Sequence, residues 1–390
     1  MNEHPVIRWI EHGENHSARW RSESGTPPPN RVAIADDTIT ADAAYRLACE
    51  GTAILWRGDF QNARQLLQAL GRRIDRKPRK PRKPAVPPTA TEAFHLHRMA
   101  QSQRSRILGM LLLPFEHDHN IPLRRAPDVR QACTEAYGPE SDAAIEDTPA
   151  HTDAYIASMR ELLGLIGAHE WRKNGVAIPA LDDRIHPHYG VFAPIRSEYL
   201  ELVANAPLAT TCNLAFDIGT GTGVLAAMLA KRGIVHIVAT DLDPRALTCA
   251  RENITRLGLD QQIDVLQADL FPEGRALLVV CNPPWVPAKP SSPIEHAVYD
   301  PESRMLRGFL NGLAAHLQPG GEGWLVLSDL AEHLGLRSRA ELLAEIEKSG
   351  LTLVDRIDIQ PRHPKASDDT DPLHTARAAE ITSLWRLAAK

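Results

Sequence analysis

In the second half of the chain, short apolar runs alternate with segments whose apolar residues recur at helical spacing. Four of the runs end at or beside a polar residue. The runs cover residues 215–218, 234–240, 263–268 and 276–281, and the polar residues are Asp217, Asp241, Asp269 and Asn282. This alternation predicts buried parallel strands joined by crossover helices. Because the carboxyl ends of such strands meet at one edge of the sheet, we expect these four side chains to share a site.

The first run continues into a glycine-rich segment, Asp217-Ile218-Gly219-Thr220-Gly221-Thr222-Gly223. The segment predicts a strand, a tight turn and the start of a helix. Glycine permits the sharp turn and leaves main-chain N–H groups open to a ligand, while the helix N-terminus adds a positive dipole end. Taken alone, the segment fits a dinucleotide site equally well.

The tetrapeptide after the fourth run distinguishes these alternatives, because Asn282-Pro283-Pro284-Trp285 is not part of a dehydrogenase fingerprint. With the glycine-rich turn it resembles the class I S-adenosylmethionine-dependent methyltransferases, and in particular the amino-methyltransferase branch with Asn-Pro-Pro-aromatic. That branch includes the glutamine methyltransferases of release factors and ribosomal protein L3, and several nucleobase methyltransferases. The resemblance runs from Tyr189 to the C-terminus. It implies an α/β fold with a Rossmann-like seven-stranded sheet whose last strand is antiparallel.

The cofactor roles that this resemblance implies agree with the chemistry of the residues. S-adenosylmethionine carries an ammonium group, a sulfonium, a ribose diol and an adenine. Asp217 can interact with the ammonium, Asp241 can accept hydrogen bonds from both ribose hydroxyls, and Asp269 can accept one from the adenine amino group. The other expected cofactor-binding residues lie in the turn or follow the strands: Gly219, Thr220, Gly221, Gly223, Leu242, Leu270 and Asn282. The expected product is S-adenosylhomocysteine.

The expected catalytic residues are Asn282, Pro283 and Trp285. An amide or exocyclic amino nitrogen is a poor nucleophile because its lone pair is delocalised. The Asn282 side-chain oxygen and the Pro283 carbonyl can accept its N–H groups and turn the lone pair toward the methyl group, and the prolines hold both acceptors in place beforehand. Trp285 offers a flat face for a planar group. Tyrosine or phenylalanine is more usual at this position in the branch, so the identity of the planar group stays open.

The expected substrate-binding residues lie on both sides of these motifs. The segment from Tyr189 to Tyr199 resembles a family stretch in which a phenylalanine and a proline lead into a helix over the cofactor. That resemblance puts Phe192 and Pro194 at the methionine end or the substrate mouth. The loop 289–296 is expected to cover the substrate. The full expected set is Tyr189, Phe192, Pro194, Trp285, His296 and Tyr299.

The N-terminal half shows helical spacing but no motif. Residues 1–37 are polar and interrupted by glycine and prolines, which predicts a flexible arm. Helices are expected near 40–51 with Thr40 as N-cap, and at 60–74, 91–113, 126–137 and 152–173. Residues 38–175 are therefore expected to form an all-α accessory domain, and 176–390 the catalytic domain. In the glutamine methyltransferases that the chain resembles, a smaller helical N-terminal domain helps to recognise the protein substrate.

A basic, proline-rich loop is expected at 76–88. Six of the nine residues from Arg76 to Pro84 are basic and every third residue is proline, which favours extended polyproline II. Such a segment can bind phosphates as a strap, but no aromatic residue is interleaved to stack bases. A solvated loop is the alternative, so a nucleic-acid partner is weakly supported.

Composition adds limits. The chain has 390 residues, 43% of them hydrophobic, and a net charge of −5. No apolar run approaches the ~20 residues of a membrane span, and no secretory signal is visible. Five scattered cysteines indicate free thiols and a cytoplasmic protein. Three His-x-His pairs begin at His95, His117 and His186, and they lack the further ligands that a metal site needs.

The sequence therefore predicts an S-adenosylmethionine-dependent N-methyltransferase. Its acceptor is expected to be a protein glutamine, in line with the domain layout and the acidic net charge. A nucleobase and a small amine or natural product are the alternatives. A cofactor-binding protein without catalysis is disfavoured because Asn282 is intact. The sequence leaves the oligomeric state open.

Overall fold

The computed structural model describes residues 5–76, 87–139, 154–196, 198–210, 212–290, 293–362 and 368–390. The chain divides into two compact units, each assembled from two stretches of sequence. The first unit comprises Met1–Pro87 and Arg98–Glu170, and the second comprises Pro88–His97 and Trp171–Lys390. Both units are α/β structures.

The first unit contains a six-stranded sheet with the order β1-β2-β6-β5-β4-β3. Strands β3, β4 and β5 are parallel to one another, and β6 is antiparallel to β5. The elements are β1 (Val6–Glu11), β2 (Glu14–Trp20), β3 (Arg31–Ala35), α1 (Ala41–Cys49), β4 (Thr52–Trp56), α2 (Phe60–Ile74), α3 (Ala90–Leu108), β5 (Leu111–Phe115), α4 (Arg130–Tyr137), β6 (Tyr155–Ser158) and α5 (Met159–Asn174). The first turns of α3 and the last residues of α5 belong to the second unit.

The expected flexible arm at residues 1–37 is wrong, because β1, β2 and β3 lie within it. Strands β1 and β2 form an antiparallel hairpin. Its turn, His12–Gly13, has the positive φ at both residues that two-residue hairpins favour. Ile7 is buried, whereas Ile10 on the same strand is 66% exposed. Few side chains of the hairpin are buried, so most of its positions are polar. Its sequence therefore resembles that of a flexible segment.

The expected all-α domain at 38–175 is also wrong. Helices α1 and α2 lie where the spacing predicts them, and the Thr40 hydroxyl accepts from the N–H of Ala43 as an N-cap. The apolar run at 107–113, however, is divided: α3 ends at Leu108 and β5 begins at Leu111. A short apolar run buried on both faces has no period that separates strand from helix. Strands β4 and β6 were missed for the same reason.

The second unit contains a seven-stranded sheet with the order β11-β10-β9-β12-β13-β15-β14. Neighbouring strands from β11 to β13 are parallel, and β15 runs antiparallel to both of its neighbours. The strands are β7 (Val176–Ile178), β8 (Asp183–Ile185), β9 (Leu214–Ile218), β10 (His236–Asp241), β11 (Ile263–Gln267), β12 (Ala276–Cys281), β13 (Leu317–Ser328), β14 (Leu351–Ile359) and β15 (Thr382–Ala389). Strands β7 and β8 form a separate hairpin.

Helices cover both faces of this sheet. They are α6 (Glu198–Asn205), α7 (Val224–Lys231), α8 (Pro244–Arg256), α9 (Arg304–His316), α10 (Leu330–His333), α11 (Arg339–Lys348) and α12 (His374–Ala379), with 3-10 turns at Pro293–Ala297 and Pro301–Ser303. Successive strand residues join different apolar clusters: Ala215 packs in one and Phe216 in the other. This alternation is the period of a strand with a core on each face. No described helix is both long and apolar enough to span a bilayer.

The packing of β1 can be tested by comparing two isoleucines on that strand. Ile7 is 1% exposed and packs with Trp20, Leu55 and Leu112. We expect Ile7→Ala to lower the free energy of unfolding of the first unit by about 2–5 kcal/mol, the usual cost of emptying a core position. The control, Ile10→Ala, should change it by about 0.5 kcal/mol or less because that side chain is exposed. Urea denaturation measures both, and equal effects of the two variants would contradict the packed strand.

Candidate active site

The four polar residues predicted to share a site come from adjacent strands of the second unit. The chain leaves β9 toward β10 and β11 on one side and continues through β12 and β13 on the other. A crevice opens outside the carboxyl ends of parallel strands where the order reverses in this way. A cavity of about 740 Å³ lies at this point, lined by residues that follow β9, β10, β11 and β12.

The glycine-rich turn after β9 forms one wall of the cavity. The N–H groups of Gly219 and Thr220 both donate to the carbonyl of Thr240, which ties the turn to β10. Gly219 and Gly221 have φ values of +72° and +57°. A Cβ on Gly219 would lie 2.3 Å from the Met305 Cε, whereas one on Gly221 would meet nothing within 4 Å. A side chain at position 219 would therefore clash with Met305, whereas position 221 has free space around it.

Asp217 lies behind this turn rather than on the cavity wall. One of its oxygens, Oδ2, accepts from the Thr220 hydroxyl at 2.6 Å and from the N–H of Ala226 at 3.1 Å. The other, Oδ1, is buried without a hydrogen-bond partner among the described residues. Burial raises the pKa of Asp217 to about 6. The carboxylate therefore joins the end of β9 to the first turn of α7, and its direct contact with a cofactor stays a prediction.

Asp241 ends β10 and lines the cavity. Its Oδ2 accepts from the N–H of Gly221 and its Oδ1 from the N–H of Asp243, both at 3.0 Å. Each oxygen keeps a further lone pair, so the carboxylate can still accept two hydrogen bonds. Burial is the main cause of a raised pKa for Asp241. The two backbone bonds fix the orientation of the carboxylate.

Asp269, which follows β11, lines the cavity beside Leu270. The Arg304 Nη2 donates to the Asp269 Oδ2 at 2.7 Å, and both side chains are more than half exposed. Leu270 has φ of +79°, and its carbonyl accepts from the Thr240 hydroxyl at 2.5 Å. Arg304 could not be predicted from the sequence, because its pairing with Asp269 depends on where α9 begins.

The Asn282 carboxamide is held by its own motif. The Trp285 Nε1 donates to the Asn282 Oδ1 at 2.9 Å. An indole nitrogen can only donate, so the atom of the amide that faces it must be the oxygen. The N–H of the next residue, Val286, donates to the carbonyl of Val298, and the Val286 carbonyl accepts from the N–H of Asp300. The loop after β12 is therefore fixed at both ends.

A second chain of contacts holds the ring of Trp285. The guanidinium of Arg196 lies 5.6 Å from the centroid of this ring, and its Nη1 donates to the Glu380 Oε1 at 3.2 Å. The side chain of Glu380 is fully buried and also accepts from the Ser328 hydroxyl at 2.6 Å. One face of the indole ring therefore lies beside the Arg196 guanidinium, which the buried Glu380 holds in place. This contact, which the sequence did not predict, limits how a planar group can stack there.

Most of the predicted site residues line the cavity. Those that do are Phe192, Gly219, Thr220, Gly221, Asp241, Leu242, Asp269, Leu270, Asn282, Pro283, Trp285, His296 and Tyr299. Asp217, Gly223, Tyr189 and Pro194 are not among the lining residues. A Cβ on Gly223 would lie 3.4 Å from Ala250, so this glycine serves helix packing. The ring of Tyr189 lies 5.8 Å from the guanidinium of Arg245.

Other lining residues were not predicted. They include Phe94, Arg196, Arg304, Met305, Leu330, Leu334, Leu373 and Arg377. Five of these eight are apolar and lie on helices or at helix ends, which are typical of core positions in sequence. No pattern along the chain separates a residue that lines a cavity from one that fills the core.

The His-x-His pairs are not among the residues that line this cavity. Among the described residues, no group of three or more His, Cys, Asp and Glu side chains could hold a metal ion. His186 Nδ1 contacts the carbonyl of Arg172 at 2.6 Å, and His188 Nε2 contacts Glu252 at 2.8 Å. The basic run 76–84 lies, apart from Arg76, outside the described residues.

The residues of the cavity fit S-adenosylmethionine. Asp241 offers two oriented oxygens for a diol, and the open side of Gly221 allows close approach to the backbone. The acids Asp241, Asp243 and Asp269 line the cavity, and they suit a ligand that carries an ammonium and a sulfonium. The fit rests on oxygen acceptors and backbone, as a cationic nucleoside requires.

Comparison with known proteins agrees with this geometry. The family profile "Methyltransferase small domain" matches residues 185–348. A release factor glutamine methyltransferase from Cereibacter sphaeroides is 32% identical over 174 residues, which are 40% of this chain and 58% of that protein. One from Moorella thermoacetica is 36% identical over 28% of this chain and 41% of that protein. A ribosomal protein L11 methyltransferase from Clostridium perfringens is 46% identical over 17% of this chain and 22% of that protein.

The chain thus spans from about a fifth to about three fifths of the curated relatives it matches. A solved methyltransferase from Pyrococcus furiosus has a TM-score of 0.38 and 17% identity, over 59% of this chain and 99% of that one. The matched residues include the glycine-rich turn, Asp241 and the Asn282 loop. The second unit of this chain therefore contains a methyltransferase small domain, and the relatives that this part of the chain matches are methyltransferases.

Proposed function

We propose that the whole protein is an N-methyltransferase that acts on a planar amide or exocyclic amino nitrogen, with a protein glutamine as the first candidate. The observation that carries the proposal is the fixed Asn282 carboxamide, whose oxygen is held by Trp285 in the same cavity as the glycine-rich turn and Asp241. The names of two relatives, release factor glutamine methyltransferases, support the amide acceptor.

The cofactor would be held by the turn and by the acids at the strand ends. Asp241 would take the ribose hydroxyls, since both of its oxygens are oriented by backbone N–H groups. Asp269, whose Oδ2 is paired with Arg304, would offer its other oxygen to the adenine amino group. When bound, S-adenosylmethionine supplies an electrophilic methyl group on a sulfonium.

The chain's own residues would orient the acceptor. The indole N–H of Trp285 uses one lone pair of the Asn282 Oδ1, and the second lone pair can accept an N–H of the acceptor. The Pro283 carbonyl would accept the other N–H. Holding both hydrogens directs the nitrogen lone pair away from them, which is an orientation effect that requires no strong base. The proton leaves to solvent after transfer.

Two other acceptors stay as alternatives, each with one observation in its favour. A small molecule is favoured by the apolar residues Phe94, Val286 and Leu373 at one end of the cavity. A nucleobase is favoured by the basic run 76–84, as phosphate-binding residues. For a protein acceptor, we propose that the first unit takes part in recognition. A cytoplasmic location suits the five free cysteines.

Transfer of a labelled methyl group tests the function and separates the acceptors. Purified protein and methyl-labelled S-adenosylmethionine are incubated with a cell lysate, which is then divided into protein, RNA and small-molecule fractions. We expect label in protein. Complete digestion with proteases should release it as N5-methylglutamine, and acid hydrolysis should release it as methylamine. Label only in RNA or only in small molecules would replace the glutamine by the corresponding alternative. No label in any fraction, with normal cofactor binding, would contradict the enzyme activity.

Asp241 can be tested by cofactor binding alone. We expect Asp241→Ala to weaken the binding of S-adenosylhomocysteine by about 100-fold, because hydrogen bonds to a charged group contribute roughly 1.5–3 kcal/mol each. Isothermal titration calorimetry measures the dissociation constant. The matched control is Asp264→Ala on β11, where the carboxylate is 60% exposed and does not line the cavity. Unchanged affinity in Asp241→Ala would remove this residue from the cofactor site.

The bond between Trp285 and Asn282 can be tested by turnover. Trp285→Phe keeps an aromatic face and removes the indole donor, so we expect methyl transfer to fall roughly five- to tenfold, the value of one hydrogen bond. Asn282→Ala should remove nearly all transfer. Both variants should bind S-adenosylhomocysteine as the wild type does. The control is Trp171→Phe, the same substitution at a 43% exposed position, and a rate loss there equal to that of Trp285→Phe would refute the positioning role.

A further inference from the structure

A segment far from the methyltransferase motifs contributes to the cavity. Residues Pro88–His97 belong to the second unit, although they precede the matched domain by almost 90 residues. Phe94, in the first turns of α3, is 3% exposed and lines the cavity together with Trp285. Leu96, two residues later on the same helix, is 58% exposed. Phe94 therefore lies on the buried side of α3, and Leu96 lies on the exposed side.

Hydrogen bonds fix the start of this helix. The Thr89 N–H donates to the Glu92 carboxylate at 2.8 Å, and the Glu92 N–H donates to the Thr89 hydroxyl at 3.2 Å, which is a capping box. The Thr91 hydroxyl donates to the carbonyl of Leu334 at 3.0 Å. A Cβ on Gly335 would lie 2.6 Å from this hydroxyl oxygen, so the contact requires glycine. The capping box therefore fixes the first turn of α3, and the Thr91 hydroxyl attaches this turn to the rest of the second unit.

The neighbours of Phe94 are apolar. It packs with Val286, Leu330, Leu334 and Leu373, and Trp285 borders the same cluster. All of these residues also line the cavity. The cluster therefore forms one continuous apolar wall that begins at the motif residue Trp285 and ends at Phe94.

Two arginines at this end of the cavity do not make it an anion site. Arg196 donates to the buried Glu380, and the Arg377 Nε lies 2.9 Å from Asp371. Each positive charge is thus matched by an adjacent carboxylate. What the wall offers a ligand is mainly apolar and aromatic surface.

We propose that Phe94 determines acceptor specificity, and that the acceptor presents an apolar or aromatic group near the nitrogen to be methylated, which in a protein acceptor is the side chain of a residue beside the glutamine. This rests on the proposed function, because Trp285 marks the position of that nitrogen. The apolar group packs against Phe94 and the leucines while Asn282 holds the N–H groups. Burial of such a group against one aromatic ring is worth about tenfold in affinity or more, at roughly 25 cal/mol per Å².

The test uses two substitutions of Phe94 and one matched control. Phe94→Ser makes the wall short and polar, Phe94→Leu keeps it apolar, and Leu96→Ser makes the same kind of change at the exposed position. Three quantities are measured on the full chain. These are the affinity for S-adenosylhomocysteine, the affinity for the neutral apolar fluorophore N-phenyl-1-naphthylamine with S-adenosylhomocysteine bound, and label transfer to the lysate fraction that the wild type methylates.

We expect Phe94→Ser to weaken fluorophore binding about tenfold and to lower label transfer by raising the acceptor KM. Phe94→Leu should restore both to within about threefold, and Leu96→Ser should match the wild type. All variants should bind S-adenosylhomocysteine within twofold of the wild type, which shows that the cofactor half is intact. A purely structural role would lower kcat and cofactor affinity together and would leave the acceptor KM unchanged.

Equal fluorophore binding by wild type and Phe94→Ser would overturn the proposal, as would equal weakening in Leu96→Ser. If Phe94→Ser loses cofactor binding, Phe94→Ala takes its place as the variant with a short side chain. Normal cofactor affinity in Phe94→Ala together with unchanged acceptor KM and unchanged fluorophore affinity would also overturn the proposal. A wild type that transfers no label contradicts the proposed function alone. The fluorophore result still decides the role of Phe94.

Discussion

The site depends on one buried carboxylate, that of Asp217. It joins the end of a central strand to the hydroxyl of Thr220 and the N–H of Ala226, and so ties β9 to the first turn of α7. Burial makes this charge costly, as the raised pKa shows. The glycine-rich turn is held by these contacts on one side and by the carbonyl of Thr240 on the other, and the N–H of Gly221 donates to Asp241. Asp217 is thus a structural requirement of the site even without touching a ligand.

The loop after β12 shows how a bulky residue can serve a motif that usually carries a smaller ring. An indole has a donor on its edge that a phenyl ring lacks, and in this chain the donor is used within the motif itself. The face of the same ring lies beside Arg196, whose position depends on the buried Glu380. Asn282 is therefore connected through side chains to the antiparallel end of the sheet, where Ser328 and Glu380 meet.

The cavity side of the second unit could be predicted from sequence because its signals are local. Glycines at alternate positions, acids after apolar runs and the Asn-Pro-Pro-Trp segment each lie within a few residues, and strand β12 has the predicted limits Ala276–Cys281. The first unit could not be predicted in this way. Strands β4, β5 and β6 are short and buried, so they lack a readable period, and the β1–β2 hairpin has a mostly polar sequence. Phe94 and Arg196 were missed because they meet the motif only through tertiary packing.

The division of α3 between the two units has a consequence for how this protein can be dissected or recombined. The polypeptide passes from the first unit to the second at residue 88 and returns to the first at residue 98. From residue 171 onward it belongs to the second unit. The two units are therefore interleaved along the chain, and no single cut separates them. A fragment that begins at Trp171 would keep the whole seven-stranded sheet and lose Phe94 with its docking helix turn. Gene fusion or exchange at a single boundary could transplant the cofactor site of this protein, but it could not carry the complete cavity with it.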